Sequence, residues 1–117
     1  MDQGQMKQRT KEFATRIVVF CRQLPETREG RLLGSQLFRS GTSVGANYRA
    51  ACRGRSKAEF IAKLNVALEE ADETLYWLEL AAETGTASPG AVAPLARDGN
   101  ELVAILVATL NTARRNK

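Results

Sequence analysis

SGTSVGANYRAACRGRSK, residues 40–57, decides how this chain is read. Gly41, Gly45 and Gly54 crowd into it, and such a density of glycine normally marks a loop. Yet Val44, Tyr48 and Ala51 recur at helical spacing, and four cations, Arg49, Arg53, Arg55 and Lys57, follow the second glycine. Three readings compete: a glycine-rich phosphate loop, a helix pressed against a neighbour, and a flexible basic tail. A Walker A loop needs GxxxxGK[ST], and GTSVGAN has the wrong spacing and no lysine. No strand pattern precedes it, which removes the dinucleotide fingerprint as well.

Upstream, the apolar positions extend the helical reading. Leu33, Leu37, Gly41, Val44, Tyr48 and Ala51 step by threes and fours. Gly41 and Gly45 are four apart and open the same side of such a helix. Each costs about 1 kcal/mol relative to alanine in a helix interior, which is tolerable where a neighbouring backbone comes close. The stretch is therefore read as the second half of a helix over about 29–53, ending in a basic corner where Gly54 allows reversal.

Three more helices follow from periodicity and punctuation. The first covers about 6–24, with Phe13, Ile17, Cys21 and Leu24 on one side and Pro25 as the stop. The third covers about 57–84. SKAE at 56–59 is a capping box, in which Glu59 is expected to reach back to the amide of Ser56. Leu64, Leu68, Ala71, Leu75, Leu78 and Ala82 form its bundle seam, and Gly85 ends it. The fourth covers about 89–114, capped by Ser88 with Pro89 at its first position. Gly90, Pro94 and Gly99 weaken its first half, so regular helix is expected only from about Asn100. Its basic end, ARRNK, complements the helix dipole.

Short connections fold each helix back on the last. The predicted architecture is a single all-α domain over 1–117, an antiparallel up-down-up-down four-helix bundle. Hydrophobic residues make up 44% of the chain, enough for a packed core, and only 6% are aromatic, which suits helix packing. A second apolar stripe on the third helix, Val66, Trp77 and Leu80, lies off the seam. It is either a wide core or an oligomer interface. The interface is the expectation, because Trp77 and Leu80 together would make an unusual exposed patch.

Composition excludes much chemistry. The chain has no histidine, which removes the commonest general base and metal ligand. Cys21 and Cys52 lie in separate apolar-periodic segments and read as buried reduced thiols. No nucleophile–base pair, metal spacing or cofactor motif is present, so the chain is read as a non-enzyme without cofactor or metal. No apolar run approaches the ~18 residues of a membrane span, and the N-terminus lacks a signal-peptide core. A cytoplasmic location without membrane association is expected.

Charge is segregated. Residues 1–57 carry 12 Lys/Arg against 4 Asp/Glu, a net of +8; residues 58–117 carry 5 against 9, a net of −4. EEADE at 69–73 reads as a solvated or salt-bridged acidic face, with Glu70 and Glu73 expected to pair with the basic run between helices or between subunits. The corner residues Arg49, Arg53, Arg55 and Lys57 are the leading polyanion contacts, with Arg16, Arg22 and Arg39 as weaker candidates. An ordinary solvated basic surface is the alternative. Tyr48 is the only aromatic nearby, so contacts would go to phosphate rather than to bases.

These residues carry a resemblance. Gln36, Leu37, Ser43, Val44, Asn47, Arg55, Ser56, Glu59 and Phe60 stand at the places of a recurring pattern. The chain over about 13–84 resembles the bacterial four-helix bundle family named for the 23S rRNA intervening-sequence protein. The resemblance implies a left-handed antiparallel bundle and a homopentamer shaped as a barrel. One branch comprises the accessory variability proteins of diversity-generating retroelements, which implies RNA or DNA and a reverse transcriptase as partners. The chain departs from the pattern at Gly45, where proline is frequent, and at Arg49–Ala51, where Ala-Glu-Gly is frequent. These departures imply a more regular second helix. The expected function is a non-catalytic, oligomeric, nucleic-acid-binding accessory protein. A structural adaptor meeting an acidic protein partner is the alternative.

Overall fold

Each helix begins at a residue whose side chain accepts one of the backbone amides left unpaired at a helix start. In the computed structural model, which describes residues 1–116, these caps are Asp2, Thr27, Ser56 and Ser88. They open α1 (Gln3–Arg22), α2 (Arg28–Cys52), α3 (Lys57–Glu83) and α4 (Pro89–Arg115). α1 starts three residues earlier than its apolar pattern indicates. Asp2 accepts from the Gln5 amide at 2.8 Å, and the Gln5 side chain accepts from the Asp2 amide at 3.0 Å. Ser56 accepts from the Glu59 amide at 3.1 Å as expected, but Glu59 reaches one residue further back, taking the Arg55 amide at 2.7 Å. Gly85, at φ +72°, ends α3 in the left-handed region that suits glycine.

α2 runs unbroken through Gly41 and Gly45. Its stripe is the expected one: Leu33, Leu37, Gly41, Val44, Tyr48 and Ala51 are all buried. α4 corrects an expectation, for it is helical from Pro89 onward despite Pro94. Val92 and Leu95, which flank Pro94, are buried. Gly99 is buried against Leu75: a Cβ there would stand 2.9 Å from the Leu75 Cδ2. Packing therefore overrides weak local propensity. Lys117, the last residue of the basic end, lies outside the described residues.

The helices form an antiparallel four-helix bundle, a rod of 49 × 20 × 19 Å. Each helix packs on its sequence neighbours, and α1 also meets α4. Phe13, Ile17, Leu37, Val44, Leu64, Leu78, Leu102 and Leu106 are fully enclosed. The α3 seam is half as expected: Leu64, Ala71 and Leu78 are buried, while Ala67, Thr74 and Ala81 take the places expected of Leu68, Leu75 and Ala82. The buried line is Leu64, Ala67, Ala71, Thr74, Leu78 and Ala81, while Leu68 and Ala82 flank the core partly exposed. Small residues face the axis and bring α3 close to α2. There the Ser40 and Thr74 hydroxyls, both fully buried, are hydrogen-bonded at 2.9 Å, and Thr74 also donates to the Glu70 carbonyl at 2.7 Å. Trp77 is partly buried against the core, and its indole N–H donates to Glu73.

Candidate nucleic-acid interface

The site begins with where the acids go. Glu70 and Glu73 both pair with Arg39 of α2, the first at 3.0 Å. Asp98 and Glu101 pair with Arg9 of α1, and Asp98 also takes Arg16. Among the described residues these ion pairs lie on two seams, α2/α3 and α1/α4. Along both, the basic half of the chain meets the acidic half. Arg39 and Arg16, weaker candidates for polyanion contact, are thus engaged within the chain. The acidic cluster pairs with Arg39 rather than with the basic run after Gly45. Arg9 was not singled out in the sequence, because its carboxylate partners lie about ninety positions away.

The remaining candidates carry no ion pair among the described residues. Arg49 is exposed in the last turn of α2, and Arg53 is its C-cap. Both favour the negative end of that helix dipole. Arg55 is exposed in the turn. Lys57 is the first residue of α3, where a cation gains nothing from the dipole. Arg22 is exposed in the last turn of α1.

The turn at Gly54 splits the corner between two faces. Arg49 opens onto a groove between α1 and α2, lined also by Lys7, Lys11 and Gly45. Lys57 opens onto a different groove, between α3 and α4, beside Phe60 and Thr109. The single basic edge expected from sequence is therefore a band that bends around the end of the bundle. Lys7 and Lys11 went unmarked in the sequence, although their spacing of four already places them on one side of α1.

Two nucleophile-bearing side chains are not poised for reaction: Tyr48 at this end, and Cys21 towards the opposite end of the rod, where its thiol donates to the Gly34 carbonyl at 3.5 Å. Tyr48 is buried, and burial, followed by the adjacent Cys52 thiol and then Asp2, pushes its phenol above the usual tyrosine range. Burial likewise pushes the Cys21 thiol up, away from the thiolate that reacts.

A family model described as 23S rRNA-intervening sequence protein matches residues 2–108. The chain belongs to the 23S rRNA-intervening sequence protein family. A crystal structure at 1.70 Å agrees, that of a protein with unknown function from the S23 ribosomal protein family of Bacteroides thetaiotaomicron. It is 38% identical, superposes with a TM-score of 0.88, and the match covers 95% of this chain and 99% of that one. Among curated proteins none matches.

In this member of the intervening-sequence family, the pattern residues are mainly structural. Leu37 and Val44 are core. The Ser43 hydroxyl donates to the Arg39 carbonyl, and the Asn47 amide donates to the Ser43 carbonyl at 2.9 Å. Glu59 and Ser56 cap α3.

Proposed function

We propose that this family member is a non-catalytic, oligomeric protein that binds nucleic acid through phosphate contacts. One observation carries the reading. Among the described residues, in-chain ion pairs draw on Arg9, Arg16 and Arg39, whereas Arg49, Arg53, Arg55 and Lys57 carry no ion pair around one end of the rod. Clustered cations without acidic partners attract a polyanion, and each phosphate contact releases counterions. At this corner Tyr48 is buried and Phe60, beside Lys57, is partly buried against the core, so little ring surface is open for base stacking and binding is weakly sequence-specific. RNA is the polyanion to test first, given the rRNA context in the family's name.

Self-assembly is the second part of the proposal. Leu80, Trp77 and Val66 share one side of α3 with Glu70 and Glu73, and Val66 is 39% exposed. On α2, Leu32 is 59% exposed and falls in the same helical register as Arg39, which pairs with those glutamates. Together they support an apolar strip along α2/α3 that a second copy covers. The resemblance implies a ring of five.

The test is fluorescence anisotropy of a labelled 20-nucleotide RNA and its DNA equivalent across salt concentrations. Wild type should bind with affinity falling steeply as salt rises, and the Arg53→Glu, Arg55→Glu double variant should lose at least tenfold. Absence of binding at low salt would sink the reading and redirect the search to an acidic protein partner.

A further inference from the structure

We infer that the groove between α1 and α2 is a phosphate-binding track for a polynucleotide strand, with Lys7, Lys11 and Arg49 as its contacts. The inference rests on the nucleic-acid reading and assigns it a place that the basic corner alone does not. The groove has a volume of about 320 Å³ and is lined by Lys7, Lys11, Ala14, Thr42, Gly45, Ala46 and Arg49. No carboxylate lines it. None of its three cations has an ion partner among the described residues, although on the same helix Arg9 has two and Arg16 one.

Helix packing creates the convergence. At Gly45 the α2 backbone lies so close to α1 that a Cβ would stand 3.2 Å from the Thr10 Oγ1 and 3.3 Å from the Thr10 carbonyl oxygen. Because the helices run antiparallel, this approach sets Lys11, next to Thr10, beside Gly45, and Arg49, one turn beyond Gly45, level with Lys7, one turn back along α1. Lys7 and Lys11, four apart on α1, repel each other, and an anion between them and Arg49 relieves that repulsion. The floor of Ala14, Gly45 and Ala46 is small, so a sugar-phosphate backbone can lie against it within reach of all three side chains.

The ligand class follows from what the lining lacks. No aromatic ring is present to stack a base, so the groove recognises phosphate and not nucleobase. Thr42 is no donor for that phosphate, because its hydroxyl proton is given to the Phe38 carbonyl at 2.7 Å. Arg53 follows Arg49 by one further turn, so the groove leads into the corner residues and the two form one path for a strand.

The experiment compares the full-length Lys7→Gln, Lys11→Gln variant with an Arg55→Gln, Lys57→Gln variant, using a labelled 20-nucleotide single-stranded RNA. Far-ultraviolet circular dichroism checks that both stay folded. The groove variant should bind at least tenfold more weakly. Its plot of log affinity against log salt should flatten by about 1.4, two phosphate contacts at ~0.7 each. Ala46→Glu, which sets a carboxylate on the floor, should weaken binding similarly. Wild-type affinity and slope in the groove variant, with loss confined to the corner variant, would overturn the track and leave the nucleic-acid reading standing. No binding by wild type at low salt would remove both. Displacement of the RNA by millimolar inorganic phosphate at constant ionic strength would overturn the strand assignment, making the groove a site for the free anion.

Discussion

At Gly41 the α2 backbone lies against the side of Ile17. A Cβ there would stand 2.7 Å from the Ile17 Cγ2 and 3.0 Å from its Cβ. Ile17 is fully buried and branched, so it has no room to withdraw. Gly41→Ala should gain about 1 kcal/mol of helix propensity yet lose about 2–3 kcal/mol to overpacking. The expected net effect in urea unfolding is destabilisation by about 1–2 kcal/mol. Gly34 in the same helix is the control. Its added Cβ would meet only the tip of Leu24 at 3.4 Å, so Gly34→Ala should be neutral or stabilising by up to about 1 kcal/mol. Equal stability of the two variants would show that close packing at Gly41 is not what retains the glycine. Both glycines were visible as helical in the sequence; which one touches a neighbour was not.

At the scale of the element, caps decide where helices begin and packing decides whether they persist. The α3 cap was legible, because Ser56 and Glu59 sit at capping-box spacing. Ser56→Ala should cost about 1 kcal/mol, read as an earlier urea midpoint with an unchanged slope. No change in midpoint would mean that the Glu59 contact to the Arg55 amide holds the helix start by itself. The α1 cap was missed because Asp2 and Gln5 precede the apolar pattern that announced the helix. The first half of α4 was underestimated because local glycine and proline were weighed without Leu75 and the buried Val92 and Leu95. Half of the α3 seam was misplaced for a related reason, although Leu64, Ala71 and Leu78 are buried as expected. Leucines mark a seam in sequence, whereas here Ala67, Thr74 and Ala81 share the buried line with Leu64 and Leu78, and Leu68 and Leu75 flank it.

At the scale of the whole molecule, the charge asymmetry becomes a surface arrangement. Ion pairs stitch the basic half to the acidic half along α1/α4 and α2/α3. These pairs are partly exposed, and each is worth at most about 1 kcal/mol, so their larger consequence is which cations they leave free. The proposed assembly belongs to this scale too. Light scattering should give wild type the mass of five 12.8 kDa chains, about 64 kDa. Val66→Glu with Leu80→Glu should shift it towards the monomer, since charges on an apolar strip oppose its burial. A wild-type monomer would refute the assembly.

The sequence by itself determined four helices, their order, their turns and the stripe of α2. These depend on local spacing and end signals, which are written along the chain. It also exposed the charge segregation and the corner cations. Only the tertiary structure decided which of those cations are spent. Arg39 and Arg16 meet carboxylates from distant helices, whereas Lys7 and Lys11 join Arg49 across a groove. Such partners are set by helix rotation and by the close approach at Gly45 and Thr10, and neither has a signature in local sequence.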